Sequence, residues 1–349
     1  MEHFGQTIII WYKEYGRELP WRQTTDPYRI WISEVILQQT RVNQGYDYYQ
    51  RFIARFPDVE ALAKAEEDEV LKYWEGLGYY SRARNLHAAA RSVNGCFPTT
   101  YEGVRALKGV GDYTAAAICS FAYGMPYAVV DGNVYRVLAR YFGIDTPIDS
   151  TAGKKMFAEL AQELLDCSQP AVYNQAIMDF GALQCTPQSP NCLFCPLSDG
   201  CLALARGQVS ILPVKQNKTK TTDRYFNYFC VRTGDAIFLH KRTGDDIWKN
   251  LFQLPLIETA EPLSLDALPA LPQWQEWTKG SEQGCIRLVS EGVKHVLSHR
   301  VIYANFYELI LPDGIEEFAD FLKVGMDELE RYALPRLVQQ FMEKYVTTG

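Results

Sequence analysis

The hydrophobic pattern of this chain changes once along its length, and that change limits the architectures it can form. Up to about residue 205, apolar residues recur at spacings of three and four, the pattern of helices that bury one face. Later stretches such as "YFNYFCVRT" and "RVIYANFYELIL" are rich in β-branched and aromatic residues, as strands are. The pattern therefore predicts an all-α domain over 1–205 and a mixed α/β domain over 225–349, joined by a polar linker over 206–224.

Composition narrows the class of protein. A chain of 349 residues is long enough for two domains. It shows neither a secretory leader nor a run of about 18 apolar residues, so we expect a cytoplasmic protein. The net charge of -7 argues against a simple nucleic-acid binder, but total charge does not report local surfaces. The stretch "GYYSRARNLHAAAR" carries Arg82, Arg84 and Arg91 without any acid, which makes a local basic patch.

Four of the nine cysteines crowd into the stretch "CTPQSPNCLFCPLSDGC". Cys185, Cys192, Cys195 and Cys201 have the spacing C-x6-C-x2-C-x5-C, which lets four thiolates close around one tetrahedral ion or one cubane cluster. Zinc is the alternative to iron, although four-cysteine zinc sites usually have two C-x2-C pairs. A chance grouping of buried cysteines is the third interpretation. The remaining five cysteines are scattered, and we expect them to be buried structural thiols.

A tight turn separates two helical patterns in "LKGVGDYTAAAI", where Gly109 and Gly111 flank a single apolar residue. Backbone amides freed at the start of a helix bind anions, because they point at the ligand and the helix dipole favours negative charge. The turn is therefore a candidate phosphate site in spite of the acidic composition. A plain connection between two helices is the alternative.

Two carboxyl groups are candidates for acid–base chemistry. Glu34 is the only acid in the apolar run "RIWISEVILQQT", and helical spacing puts Ile30 and Leu37 on its face. Such neighbours remove water, so the pKa of Glu34 should rise, which suits a general acid. Asp131 precedes a helix in "AVVDGNVYRVLAR", and the helix dipole should lower its pKa. The alternatives are a Glu34 that reaches solvent or an arginine at a helix edge, and an Asp131 that only caps its helix.

Six segments together resemble the adenine DNA glycosylase (MutY) family of helix-hairpin-helix DNA glycosylases: "LPWR", "SEVILQQTRV", "WEGLGYYSRARNLH", "LKGVGDYTAAAI", "VDGNVYRVLAR" and "MDFGALQCTP". The resemblance implies a bilobal helix-hairpin-helix catalytic domain whose cysteine loop holds one 4Fe–4S cluster. The part of the loop that reads "TPQSPN" departs from the family's pattern, because it lacks the basic residues that meet DNA phosphates there. The cluster is then purely structural, or phosphate contact comes from elsewhere.

The resemblance also assigns roles to single residues. Glu34 would protonate the adenine ring, Asp131 would face the anomeric carbon, Asn133 would orient Asp131, and Tyr113 would line the active site. Related glycosylases that also cut the strand carry a lysine in place of Tyr113, and a phenol cannot form a Schiff base. We therefore expect base removal without efficient strand cleavage. Positions that match residues around the flipped adenine or the mispaired guanine are Trp21, Arg22, Gln39, Thr40, Leu77, Tyr79 and Gln175.

The region around "RTGDDIWKNLFQLP" resembles the Nudix (MutT-like) domain of the same family. It lacks the "RExxEE" motif of Nudix hydrolases, so we expect no pyrophosphatase activity. The family reads oxidised guanine through an "FSH" loop, and this chain has "LSH", which keeps Ser298 and His299. A surface histidine at a strand end is the alternative for His299. We expect Trp248, Trp274 and Trp277 to be core or surface aromatics rather than platforms for base stacking.

These features together predict a monofunctional DNA glycosylase that removes adenine mispaired with 8-oxoguanine or guanine during base excision repair. We expect a monomer that acts on double-stranded DNA at the nucleoid. One alternative is an endonuclease III-like glycosylase and AP lyase for damaged pyrimidines, against which Tyr113 and the additional domain speak. A non-catalytic iron–sulfur DNA-binding or redox protein is the second, against which the apolar setting of Glu34 speaks. The third alternative is a zinc-stabilised helical module, which analysis of iron, sulfide and zinc would distinguish from an iron–sulfur protein.

Overall fold

A computed structural model describes residues 2–217, 220–279 and 284–346. The chain divides into two compact units. The first contains Met1–Lys64 and Asn85–Lys218, and the second contains Ala65–Arg84 and Thr219–Gly349. Within the described ranges, no helix is both long enough and apolar enough to cross a membrane.

Helices account for nearly all regular structure before residue 206. The α-helices are α1 (Glu2–Tyr15), α2 (Pro27–Leu37), α3 (Val42–Arg55), α4 (Val59–Lys64), α5 (Glu67–Tyr73), α6 (Ser81–Ser92), α7 (Tyr101–Arg105), α8 (Asp112–Tyr123), α9 (Gly132–Tyr141), α10 (Thr151–Leu164), α11 (Pro170–Asp179) and α12 (Leu202–Ala205). Short 3-10 turns lie at Pro20–Arg22, Cys192–Phe194 and Ser198–Gly200, and a π-helical segment, Phe180–Gln184, continues α11.

Helix α2 is buried on almost every side, because its sequence "PYRIWISEVIL" is apolar nearly all round. Pro27 opens the helix, and Asp26 caps it by accepting a hydrogen bond of 2.9 Å from the amide of Tyr28. The helix packs against α3 and α8. Arg29 marks the one face of α2 that meets solvent. Glu34 lies among the buried residues of the helix, away from bulk water.

A second set of helices in the first unit, α1, α9, α10 and α11, shares one apolar core. Phe4, Phe157 and Tyr173 are almost completely buried there. Cys185, Cys195 and Cys201, from the cysteine loop, pack against the edge of this core. The loop therefore packs against the helical framework at its beginning, middle and end.

Within the described residues, the second unit is built on a seven-stranded sheet. Its strands are β1 (Thr222–Thr233), β2 (Ala236–Lys241), β3 (Phe252–Gln253), β4 (Leu256–Thr259), β5 (Cys285–Val296), β6 (Arg300–Ile310) and β7 (Leu322–Gly325). The strand order is β3-β2-β1-β6-β5, with β4 paired to β1 and β7 paired to β2. Strands β1 and β6 run parallel, whereas the other pairings are antiparallel.

Both faces of the sheet are covered. Along β1, Phe226 and Tyr228 point into a core that contains α14 (Arg336–Tyr345). Phe229 and Val231 point into the opposite core, beside α13 (Pro272–Trp277). This alternation has the period of two expected of a strand. The predicted fold class, a helical domain followed by a mixed α/β domain, is confirmed.

The five scattered cysteines do not share one environment. Cys119 and Cys230 are buried, as expected. Cys96, Cys167 and Cys285 are exposed, so the expectation is wrong for these three. The reason is their position, because two follow the ends of α6 and α10 and the third begins the edge strand β5.

Candidate active site

A cavity of the first unit has a volume of about 860 Å³. Its walls come from the 3-10 turn before α2, from α2 itself, from α11 and from the N-terminal ends of α8 and α9. Nine of the residues singled out from the sequence line it: Trp21, Arg22, Glu34, Gln39, Thr40, Tyr113, Asp131, Asn133 and Gln175. Glu34 and Asp131, almost a hundred residues apart in sequence, thus face the same space.

Glu34 is the buried acid of this cavity. Only 7% of the residue is exposed, and burial is the main reason that its pKa rises to about 7. The negative charge of Asp131 also raises this pKa. A hydrogen bond of 2.9 Å, donated by the Tyr113 hydroxyl to Glu34 Oε2, and the charge of Arg22 act in the opposite direction. Glu34 therefore holds a proton that it can give up near neutral pH.

Tyr113 lies in the first turn of α8, which directs its side chain into the cavity. Burial, together with the charges of Glu34 and Asp131, raises its pKa well above the ordinary value for tyrosine. The phenol therefore stays protonated and acts as a hydrogen-bond donor. It cannot serve as an amine nucleophile.

Asp131 caps α9, as its sequence position suggested. Its Oδ1 accepts hydrogen bonds from the amides of Asn133 and Val134 at 2.9 and 2.8 Å, and its Oδ2 accepts one from Asn133 Nδ2 at 2.7 Å. The predicted lowering of its pKa is wrong, because burial raises the pKa more than these hydrogen bonds lower it. The three donors still favour the anion on Asp131 over the anion on Glu34, which accepts one such bond.

Arg136 fixes the side chain of Asn133 and connects it to the cysteine loop. Its Nη2 donates to Asn133 Oδ1 at 2.8 Å, which leaves the amide nitrogen of Asn133 facing Asp131. Its Nε donates to the carbonyl oxygen of Cys185 at 2.7 Å. The cysteine loop therefore supports the carboxylate of Asp131 through two side chains.

The four clustered thiols come together around one small cavity of about 30 Å³. Arg140 donates to Cys185 Sγ at 3.4 Å and to the carbonyl oxygens of Thr186 and Pro187 at 2.7 and 3.1 Å. Among the described residues, no three side chains of His, Cys, Asp or Glu are arranged to hold a single metal ion.

The glycine turn connects α7 to α8. Gly109 has φ +81°, and a Cβ there would lie 2.8 Å from Cβ of Asn85, so only glycine fits. Gly111 is the N-cap of α8 and has no side chain with which to cap this end of the helix. Arg105 donates to Asp112, which offsets the one acid in the first turn. These features suit an anion at the helix N-terminus, and phosphate binding here stays a prediction.

The four remaining predicted residues of the second unit border another cavity, of about 450 Å³. They are Leu77, Tyr79, Ser298 and His299. The hydroxyl groups of Tyr79 and Ser298 contact each other. The amide of Leu297 donates to the carbonyl oxygen of Arg300 at 2.8 Å, which closes a turn that leaves Ser298 and His299 exposed.

The tryptophans of the second unit fall into two groups. Trp274 and Trp277 pack on Phe229, as core aromatics do. Trp248 instead lines the cavity beside Ser298, with φ +59°, which is unusual for so large a side chain. The sequence reasoning did not assign Trp248 to a site.

Sequence reasoning also missed a group of side chains around Arg22, namely Tyr12, Arg17 and Asp179. Asp179 accepts hydrogen bonds from Arg22 Nη1 and Nη2 at 2.7 and 2.8 Å. The sequence pattern that identified Glu34, a single acid in a largely apolar run, could also have identified Asp179, which is the only acid in the stretch "PAVYNQAIMDFGALQ".

Comparison with known proteins defines the class. Residues 32–166 match the family described as "HhH-GPD superfamily base excision DNA repair protein", and residues 227–344 match the "NUDIX domain". The solved structure of a thermostable thymine-DNA glycosylase aligns with 58% of this chain and 96% of its own, at a TM-score of 0.55 and 32% identity. The solved structure of an endonuclease III–DNA complex aligns with 59% of this chain and 95% of its own, at a TM-score of 0.52 and 21% identity. This similarity concerns the fold alone. The chain is thus a helix-hairpin-helix DNA glycosylase with a Nudix domain.

Relatives narrow the class to a family. An adenine DNA glycosylase of Buchnera aphidicola subsp. Baizongia pistaciae is 36% identical over 86% of this chain and 84% of that protein. The adenine DNA glycosylase of Buchnera aphidicola subsp. Acyrthosiphon pisum is 31% identical over 98% of this chain and 97% of that protein. The adenine DNA glycosylase of Mus musculus is 43% identical over 60% of this chain and 44% of that protein. The chain belongs to the adenine DNA glycosylase family.

Proposed function

We propose that this protein removes adenine mispaired with 8-oxoguanine or guanine in double-stranded DNA, and that it does so without cutting the strand. As a member of its family it is a DNA glycosylase that acts on N-glycosyl bonds. The observation that carries the proposal is the pair of unlike carboxyl groups in one cavity. Glu34 has a pKa of about 7, and Asp131 accepts three hydrogen bonds that favour its anion.

The cavity suits a base taken out of the helix. The glycosidic bond is inaccessible inside the stack, so the nucleotide must be extruded into a pocket before reaction. A volume of about 860 Å³ accommodates a purine nucleoside, and Trp21, Arg22 and Gln175 offer an aromatic face and polar groups to the base. These three residues are the proposed contacts of adenine.

Each carboxyl group has a separate task in the proposed reaction. Glu34 protonates the adenine ring, which lets the base leave as a neutral molecule when the bond to the anomeric carbon breaks. The anion of Asp131 stabilises the positive charge that develops on the sugar. Asn133, held by Arg136, keeps Asp131 oriented. Water then forms a bond to the anomeric carbon, and the proton that it releases returns to Glu34, which is a carboxylate after protonating adenine.

Tyr113 determines that the reaction ends at base removal. A strand-cleaving glycosylase attacks the sugar carbon with an amine, and the hydroxyl of Tyr113 is instead engaged with Glu34 at 2.9 Å. The protein therefore leaves an abasic site in an intact strand.

The second cavity is the proposed site for the base opposite adenine. Ser298 and His299 are exposed there and offer hydrogen-bond donors and acceptors to a base edge. Leu77 and Tyr79 are the proposed wedges into the duplex. Tyr79 is 46% exposed, whereas Leu77 is only 8% exposed and would have to turn outward to enter DNA. We expect the Ser298→Ala/His299→Ala variant to lose preference for 8-oxoguanine over guanine. The Ser264→Ala variant is the control, since Ser264 is exposed and its side chain makes no capping hydrogen bond.

One 4Fe–4S cluster is the proposed cofactor of the cysteine loop. The donor set fits, because four thiols share one cavity and Arg140 donates to one of them. Thiolate ligands are those that iron–sulfur clusters use, and the arginine offsets their negative charge. A bound cluster would cross-link the loop covalently. Analysis of iron, sulfide and zinc in the purified protein tests this cofactor against zinc.

The function is tested with duplexes that carry each mispair in turn, followed by mild alkali to reveal abasic sites. Adenine opposite 8-oxoguanine or guanine should give alkali-dependent breaks, and damaged pyrimidines should give none. The Glu34→Gln variant should bind the mispair but release no adenine, while the Glu163→Gln variant of an exposed glutamate on α10 should behave as wild type. Breaks without alkali, or release of pyrimidines only, would favour the endonuclease III-like alternative.

A further inference from the structure

Asp179, the last residue of α11, is a completely buried carboxylate behind the wall of the candidate active site. Arg22 donates to it with both Nη atoms, at 2.7 and 2.8 Å. Arg17 donates with its backbone amide and its Nε, both at 2.9 Å, and with its Nη2. Burial alone would raise the pKa of Asp179, but these donors lower it overall. Asp179 is therefore an anion with every acceptor position directed at an arginine.

Arg22 is the partner that reaches the cavity. Its side chain is 11% exposed, it lines the cavity wall, and its guanidinium is permanently charged. The charge of Arg22 already lowers the pKa of Glu34 at its present position. If the guanidinium of Arg22 were released from Asp179, it could form an ion pair with Glu34 or Asp131, because both carboxyl groups line the same cavity.

The same network extends to the proposed adenine contacts. Arg22 Nη1 lies 3.5 Å from the Tyr12 hydroxyl, which donates to Gln175 Oε1 at 3.0 Å. Arg22 is thus fixed between Asp179 on one side and Tyr12 on the other. Its position depends on a carboxylate that does not itself line the cavity.

We propose that Asp179 is a positioning residue, which holds the guanidinium of Arg22 in the cavity wall and away from Glu34, so that Glu34 keeps the proton it gives to adenine. The proposal rests on the function proposed above and adds a residue to it. Its role is indirect, because Asp179 would act only through Arg22. An isolated loss of Asp179 would turn Arg22 from a wall residue into a counter-ion of Glu34.

The groups that face Glu34 come from each element packed around it. They are Tyr113 of α8, Asp131 at the start of α9 and Arg22 of the 3-10 turn, and Arg17, Arg41 and Arg136 also line the cavity. Only Arg22 is held by Asp179 and also changes the pKa of Glu34. A cation brought into contact with a carboxyl group lowers its pKa by about 1–3.

The test compares Asp179→Asn with the double variant Asp179→Asn/Arg22→Gln. We measure single-turnover adenine release against pH in the cluster-loaded protein. In Asp179→Asn, the loss of activity at rising pH should begin at a pH lower by at least about one, so that the rate above pH 7 falls at least about tenfold. In the double variant this shift should disappear, because the cation that causes it is gone. Asp179→Glu, which keeps the charge, should stay close to wild type in its pH dependence.

A second readout does not depend on activity. Infrared difference spectra between each protein and its Glu34→Gln counterpart report the protonated carboxyl group of Glu34 as a function of pH. The titration of Glu34 should move to lower pH in Asp179→Asn and return in the double variant. If wild type released no adenine from any duplex, the proposed function would fail while this measurement still decided the role of Asp179.

The proposal is overturned if Glu34 titrates in Asp179→Asn as it does in wild type. It is also overturned if the shift persists after Arg22→Gln, since Asp179 would then act by general disturbance of the fold. Should Asp179→Asn not fold, the comparison is repeated with Arg17→Gln added to both proteins. That change removes one of the two cations that would otherwise be left without a partner, and the same shift and the same reversal are expected.

Discussion

The replacement Glu34→Gln should make the protein inactive and, at alkaline pH, more stable. Glutamine has the shape of the protonated glutamic acid and can accept the hydrogen bond of 2.9 Å from the Tyr113 hydroxyl. It cannot ionise. The variant therefore keeps the packing of the buried site and loses both the catalytic proton and the cost of burying a charge.

The magnitude follows from the pKa of Glu34, which burial raises from 4.5 to about 7. Since one pKa unit corresponds to about 1.36 kcal/mol, the ionised form costs the folded state about 3 kcal/mol. Because the pKa of Glu34 is higher in the folded state than in the unfolded state, the free energy of unfolding of wild type falls as pH rises. It is highest below about pH 4.5 and is lower by about 3 kcal/mol once pH has passed 7. Glu34→Gln should follow wild type in acid and exceed it by about 3 kcal/mol above pH 7.

The assay is denaturant unfolding of wild type and Glu34→Gln across this pH range, with the Glu163→Gln variant as the control on an exposed residue of α10. The free energy difference between wild type and Glu34→Gln should grow with pH and then level off. A constant difference would refute the reasoning, because it would show that Glu34 titrates normally. A variant that lost stability at every pH would mean that Glu34 has a structural role instead.

Three further predictions concern neighbouring features. Tyr113→Phe removes the hydrogen bond that lowers the pKa of Glu34, so adenine release should persist to higher pH than in wild type. The rate of adenine release as a function of pH measures this, and a shift to lower pH would contradict the role of the hydrogen bond. Gly109→Ala should cost about 1–3 kcal/mol in unfolding experiments because its φ is +81°. Gly111→Ala has open space around the new Cβ, so it should cost less, about 0.5 kcal/mol for the poorer N-cap, and should weaken binding of duplex DNA to the predicted phosphate site. Equal stability of the two variants would be evidence against the turn geometry. Removal of the proposed cluster should lower the thermal midpoint and reduce adenine release, because the cysteine loop supports Asn133 through Arg136. A cluster-free protein with full activity would contradict that link.

Local features of the site could be read from the sequence. The apolar run around Glu34 predicted a buried acid, because helical spacing puts apolar residues such as Ile30 and Leu37 on the same face as its carboxyl group. The position of Asp131 before a helix predicted its capping hydrogen bonds. Both inferences depend only on neighbours within a few residues.

Long-range features could not be read in this way. The pKa of Asp131 was predicted in the wrong direction, because the helix dipole is a local property and the burial of the cap depends on distant elements. The pairing of Arg22 with Asp179 joins residues that are 157 positions apart. The place of Ala65–Arg84 in the second unit depends on contacts such as Lys241 with Asp68, which hydrophobic periodicity does not encode.

The central claim is that a protonated Glu34 and an ionised Asp131 release adenine from one cavity. The most direct measurement is the single-turnover rate of adenine release from an adenine:8-oxoguanine duplex as a function of pH. The account predicts a rate that falls as pH rises through about 7, together with no measurable release by Glu34→Gln at any pH. A rate independent of pH across this range, or adenine release that survives Glu34→Gln, would contradict it.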